Sequence, residues 1–222
     1  MGRLDSKTQS SPAILIGWIV WTLAVIVGVI VYVPPAIGFA DPGAARIVVF
    51  HVPCAMLAVA AYVISTIYAI AYLAKGRVDL DIKSSVSAGL GFAFTVLATL
   101  SGMIFAKLEW GAAWNWDPRE TTILMLLIVY AAYFALRSAI PGKSARARVG
   151  AVYNILACAV MPYLVFVLPR ILGGLHPTDT LSGGGISSEY LVAMLAASMS
   201  AAWLYLWVFW AQVGKLIARG KN

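Results

Sequence analysis

The sequence predicts an all-α integral membrane protein: six transmembrane helices in a single polytopic domain over residues 1–222, with both termini cytoplasmic and a tryptophan-rich segment on the outer side. Three observations carry this expectation. Hydrophobic residues make up 62% of the chain and charged residues 11%, against ~45–50% and ~25% in soluble domains. Asp, Glu, Lys and Arg are absent from six runs, 8–40, 47–74, 84–106, 121–136, 149–169 and 190–214. Nearly every run reaches the ~20 residues that a helix needs to cross the hydrocarbon core, within a range of ~17–25. The charges between the runs are also sorted by side.

If ends and loops alternate across the membrane, one side collects twelve of the 16 basic residues: Arg3, Lys7, Lys75, Arg77, Lys83, Arg137, Lys143, Arg146, Arg148, Lys215, Arg219 and Lys221. Its acids are Asp5, Asp79 and Asp81. The opposite side holds Arg46, Lys107, Arg119 and Arg170 with six acids, Asp41, Glu109, Asp117, Glu120, Asp179 and Glu189. Short loops rich in Lys and Arg stay in the cytoplasm, which sets the loops near 34–46, 107–120 and 169–189 outside. The formal charge of +7 therefore marks topology and not a nucleic-acid partner.

The spans are expected near 13–33, 46–74, 85–106, 121–140, 149–168 and 190–213. The first run is longer than a signal-peptide core and has no clean small-residue cleavage site before Pro34-Pro35, so it is expected to be retained. Asp41-Pro42 resembles a cap and first-turn proline opening the second helix, which would put His51 ~14 Å along it at ~1.5 Å per residue. The segments 75–85 and 141–148 are polar, turn-forming connections. Between them the fourth run is short and ends at Arg137, whose stem can reach toward the headgroups and extend the span to Ile140. Pro162 is expected to kink the fifth span. The last outer loop carries His176 between Gly173-Gly174 and Gly183-Gly184-Gly185, where glycine permits sharp reversal. Cys54 and Cys158 form no CxxC and fall in different spans, so they are expected to be packing residues.

The chain has two histidines, His51 and His176, and the predicted topology brings both to the outer side. Each has a bland reading, a bond to a nearby carbonyl for His51 and solvation in a glycine-rich loop for His176. A histidine in a membrane span is nevertheless a functional-site candidate by default, and a neutral imidazole is the commonest metal ligand. The outer segment EWGAAWNWDPRETT carries Trp110, Trp114 and Trp116. Alone, these could form an interfacial aromatic belt. If the segment is helical, Trp110 and Trp114 share a face, with Asp117, Arg119 and Glu120 at its polar end. A haem would use these features together: its iron accepts two imidazoles, its macrocycle needs apolar and aromatic walls, and its propionates need cations. Arg46, Lys107, Arg119 and Arg170 are the outer cations on offer. Zinc usually takes three or four protein ligands, whereas this side offers two histidines and no obvious cysteine.

With its flanking histidines, WGAAWNWDPRE resembles the WWD motif of the haem-handling cytochrome c assembly family. The length, the six spans and HVPCAMLAVAAY around His51 are most similar to its cytochrome c maturation protein C branch, also called haem exporter protein C. The resemblance implies His51 and His176 as axial ligands of haem b, with Trp110, Trp114, Trp116, Asp117 and Arg119 completing the site. Two departures stand out: Ala113 replaces the first tryptophan of an adjacent pair, and the continuation Asp117-Pro118-Arg119-Glu120 is more typical of the larger haem lyase and cytochrome c synthetase relatives. Those relatives use a further histidine pair, which this chain lacks.

The resemblance implies haem binding at the outer face of a bacterial cytoplasmic membrane and delivery, without catalytic turnover, to an extracytoplasmic haem chaperone. The implied partners are that chaperone, the subunits of an ABC transporter complex, a small accessory membrane protein and the lipid bilayer. A haem lyase or synthetase component presenting haem directly to apocytochrome c is the alternative. A non-haem transporter or membrane scaffold is a further rival, although none of the six runs places a charge at mid-membrane.

Overall fold

The computed structural model describes residues 12–37, 39–176 and 187–219. Asp5, Asp179, Arg3, Lys7, Lys221 and the Gly183-Gly184-Gly185 segment lie outside the described residues. Six helices are long and apolar enough to cross a membrane: α1 Pro12–Tyr32, α2 Ala44–Lys75, α3 Val78–Trp110, α4 Pro118–Ala139, α5 Lys143–Leu172 and α6 Ser188–Arg219. The chain is thus an all-α, multi-pass membrane protein. No strand occurs among the described residues.

Helices α2, α3, α5 and α6 outrun the expected spans at both ends because polar residues beyond the apolar runs continue them, whereas α1 matches its span to within one residue and α4 gains only at its start. The segment expected as a polar loop over 75–85 contains only a short break, at Gly76 and Arg77. Gly76 takes the left-handed conformation (φ 65°) that ends α2 and returns its amide to Tyr72 O at 2.8 Å. Asp79 and Asp81 then fall in the first turn of α3, where negative charge complements the helix dipole. At the other end of α2, Asp41 accepts from the amides of Gly43 and Ala44 at 2.9 and 3.2 Å. The helix therefore starts as a 3-10 turn over Ala44–Ile47, not at Pro42. Pro162 is followed by a π turn over Tyr163–Val167, which is the irregularity its missing amide predicts.

The hairpin of α2 and α3 forms the centre, with α4, α5 and α6 around it and α1 lying against α6. Tyr62 of α2 stacks on Tyr130 of α4 with ring centroids 3.6 Å apart. Cys54 and Cys158 are free, half-buried and packed against this cluster. Asn154, fully buried, donates to Ser65 Oγ at 2.7 Å and Ser84 Oγ at 3.2 Å, joining α5, α2 and α3. Interhelical hydrogen bonds of this kind are worth about 0.6 kcal/mol on average in a membrane.

Arg137 departs from its expected role. Its guanidinium turns inward and forms a two-pronged pair with Asp81 of α3, at 2.7 and 3.0 Å. Both side chains are only 14% exposed. The pair ties α4 to α3 at the end opposite the tryptophans, and α4 itself ends at Ala139.

Candidate functional site

The segment after α3 is not a helix. Gly111, at φ 84°, ends α3 directly after Trp110, so Trp110 and Trp114 share no helical face. Residues 111–117 form a wired loop instead. Glu120 Oε2 accepts the amides of Asn115 and Asp117 at 2.7 and 3.3 Å, and Asn115 Nδ2 donates to Ala112 O at 2.9 Å. Asp117 is the N-cap of α4, with Pro118 in the first turn and Glu120 closing a capping box. This Asp-Pro-x-Glu pattern satisfies orphan helix amides from both directions.

The same Asp117 carboxylate reaches the loop after α5. Oδ2 accepts the Leu175 amide at 2.6 Å, and Oδ1 takes His176 Nδ1–H at 2.9 Å and the Arg119 amide at 2.8 Å. Gly173 (φ 67°) and Gly174 (φ 153°) make the approach possible, since a Cβ on Gly174 would collide with the Asp117 carboxylate. Burial pushes the His176 imidazole below its ordinary range, against the opposing pull of Asp117. Burial would raise Asp117, but the amides of Arg119 and Leu175 and the facing His176 hold its carboxyl below the usual range.

His51 is held from α3. Its Nδ1 lies 3.2 Å from Ser101 Oγ, while Ser101 Oγ also lies 2.9 and 3.0 Å from the carbonyls of Leu97 and Ala98. A hydroxyl has one proton. With that proton on a helix carbonyl, Ser101 accepts from His51 Nδ1–H. Gly102 supplies the room: a Cβ there would lie 3.0 Å from His51 Cε1. Both histidines thus have Nδ1 committed and keep Nε2 for a ligand, the arrangement in which a second group sets an imidazole's tautomer and orientation.

His51 and His176 line one cavity of about 240 Å³, walled by α2, α3, α4, α5 and Trp114. Arg119 and Arg170 also line it, whereas Arg46 and Lys107 do not. Arg46 donates to Val33 O at 2.8 Å and Lys107 to Gly111 O at 2.8 Å. Arg170 donates to Phe166 O at 2.7 Å. Arg119 Nε is buried without a hydrogen-bond partner among the described residues. A buried donor left unpaired costs roughly 1–3 kcal/mol, more when charged, and an anionic group entering the cavity would relieve it.

The three tryptophans differ in what they face, although the rings of Trp114 and Trp116 meet edge-on at 6.0 Å. Trp114 lines the cavity, Trp110 stands edge-on to the His176 ring at 4.9 Å, and Trp116 is 71% exposed. Trp116 also has φ 55°, an outlier for a bulky side chain. Ser101 and Gly102 carry no sequence signal of a histidine contact, being a serine and a glycine in an apolar helix, whereas Gly174 belongs to the glycine pair expected to permit the reversal before His176.

Six spanning helices, with a cavity lined by both histidines at the tryptophan end of the bundle, define a multi-pass membrane protein. The model of the family described as heme exporter protein C matches residues 6–222. The chain belongs to that family. Heme exporter protein C of Bradyrhizobium diazoefficiens is 27% identical over 176 residues, 78% of this chain and 67% of that protein. The counterpart from Rhodobacter capsulatus is 27% identical over 137 residues, covering 62% and 57%. Cytochrome c biogenesis protein CcsA of Coffea arabica is 38% identical over 99 residues, 44% of this chain and 30% of that protein. The alignments leave a third or more of each of these relatives unmatched.

Proposed function

We propose that the protein binds haem b between His51 and His176 at the outer face of a bacterial cytoplasmic membrane and delivers it to an extracytoplasmic haem chaperone during cytochrome c maturation. The observation that carries this reading is the pairing of two imidazoles, each with Nδ1 committed, around a cavity that also contains the unpartnered Arg119 Nε. Haem would supply an iron that takes both Nε2 lone pairs. Arg119 and Arg170 would hold the propionates, Trp114 would lie against the macrocycle, and Asp117 and Trp110 would act through His176. The names of the relatives support the same reading.

The cavity would leave part of a bound macrocycle outside it. At about 240 Å³ it is below the ~300–1,000 Å³ of pockets that enclose a drug-sized ligand. A macrocycle held there would stay partly exposed to a receiving protein. An ABC transporter complex and a small accessory membrane protein complete the proposed assembly, with no catalytic turnover assigned to this chain.

Purified protein should show a six-coordinate haem spectrum, oxidised and reduced, that is weakened or altered by His51→Ala and by His176→Ala. Unchanged haem content and ligation in both variants would sink the assignment. The similarity to cytochrome c biogenesis protein CcsA favours a second reading, in which the protein presents haem directly to apocytochrome c. Cytochrome c formed with this protein and no chaperone would establish it.

A further inference from the structure

We propose that His176 is the axial ligand this protein keeps while haem is handed over, and His51 the one it releases. The proposal rests on the paired-histidine haem site above and deepens it by assigning unequal strength to the two ligands. The difference lies in what each Nδ1–H is bonded to. His176 donates to Asp117 at 2.9 Å, and the Asp117 side chain is only 2% exposed. Among the described residues, His51 Nδ1 faces only uncharged groups, the Ser101 hydroxyl at 3.2 Å and the Ala98 backbone. A hydrogen bond to an ionised acceptor is roughly twice as strong as one between neutral groups, and an acceptor behind an imidazole raises its basicity as a ligand. His176 is therefore the stronger donor to iron.

Position favours the same order, against the expectation that a loop histidine should be the first to swing away. The loop end bearing His176 is pinned by the Leu175 amide on Asp117 and by the edge of Trp110. His51 lies seven residues beyond the start of α2 at Ala44, or about 10 Å along the axis. Its ring is set against Gly102 of α3, so it cannot follow an iron that moves out of the bundle without moving a helix.

In the exchange, the iron–Nε2 bond to His51 breaks and its electron pair returns to the nitrogen. A lone pair from the receiving protein fills the position opposite His176. No electron is transferred and no proton moves, since His51 Nδ1–H remains on Ser101.

Carbon monoxide offers a probe of this order in the reduced, haem-loaded full chain, because it takes the position of the weaker axial ligand and its C–O stretching band responds to the ligand opposite. Asp117→Asn should shift that band, and Ser101→Ala should leave it in place. A band moved by Ser101→Ala, or one that ignores Asp117→Asn, overturns the assignment. If Asp117→Asn does not accumulate, His51→Gly and His176→Gly provide the second comparison. His51→Gly should retain haem about 10–100-fold more tightly than His176→Gly, the range by which supporting residues alter metal affinity; equal or reversed retention overturns the order. A wild-type spectrum without two imidazole ligands would remove the haem site itself, whereas a two-imidazole spectrum with a Ser101-sensitive band would overturn the ligand order alone.

Discussion

An imidazole on one membrane helix needs room on its neighbour, and Gly102 supplies it for His51. Adding a methyl group 3.0 Å from His51 Cε1 forces the ring or the helix to yield, and such overpacking costs about 1–3 kcal/mol. Gly102→Ala is therefore expected to weaken haem binding about tenfold, since each ~1.4 kcal/mol is a factor of ten; haem titration of the purified protein checks this. Trp114 and Trp116 make a second contrast. Trp114 lines the cavity and Trp116 is 71% exposed, so Trp114→Ala should lower haem affinity and Trp116→Ala should leave it close to wild type in the same titration. An equal loss in both would make the tryptophans one continuous wall. The sequence identified the histidines by scarcity and the tryptophans by crowding, because both signals are properties of composition. It could not separate the three tryptophans, since their roles depend on Gly111 ending α3 between Trp110 and Trp114. Nor could it link Asp117 to His176, which are 59 positions apart in the chain.

The elements were legible to the extent that hydropathy decides them. Six uncharged runs became six helices, but their ends moved outward wherever local chemistry favoured more helix. Asp79 and Asp81 in the first turn of α3 did this, as did the Asp117-Pro118-x-Glu120 capping box that opens α4. The capping box replaces the expected arrangement, in which Asp117 and Glu120 form the polar end of a helix bearing Trp110 and Trp114. Arg137 was not legible either, because a charge at the end of an apolar run can reach toward headgroups or pair inward, and the choice depends on the facing helix. Here Asp81 faces it, with bonds of 2.7 and 3.0 Å. Breaking a buried pair strands its partner at a cost of about 3–5 kcal/mol, whereas replacing both members with apolar residues is often neutral or stabilising. Arg137→Met alone should thus lower the thermal unfolding midpoint in detergent and the level of protein in the membrane. Combining it with Asp81→Leu should recover most of the loss. A double variant no better than the single one would show that the pair does not tie α3 to α4 as inferred.

For the whole molecule, six helices constrain orientation because an even number of crossings returns the chain to the side on which it began. Which side that is follows from charge. The α2–α3 turn with its flanking helix ends and the start of α5 carry Lys75, Arg77, Lys83, Lys143, Arg146 and Arg148, while the tryptophan end carries Arg46, Lys107, Arg119 and Arg170 among more numerous acids. The basic residues within about 15–20 positions of a span set its orientation, and acids contribute little, so the comparison rests on the Lys and Arg count. On this basis we propose that the His51–His176 cavity opens outward, with Gly111 on the outer side and Gly76 on the cytoplasmic side. With Cys54 and Cys158 replaced by alanine, a cysteine introduced at Gly111 should react with a membrane-impermeant thiol reagent added to intact cells or spheroplasts. One introduced at Gly76 should react only after the membrane is opened. Both glycines have positive φ, 84° and 65°, so each cysteine carries some backbone strain, but neither Cβ would meet another atom within 4 Å. The reverse labelling pattern would place the haem site on the cytoplasmic side, where an extracytoplasmic chaperone could not reach it, and delivery as proposed would fail with the topology.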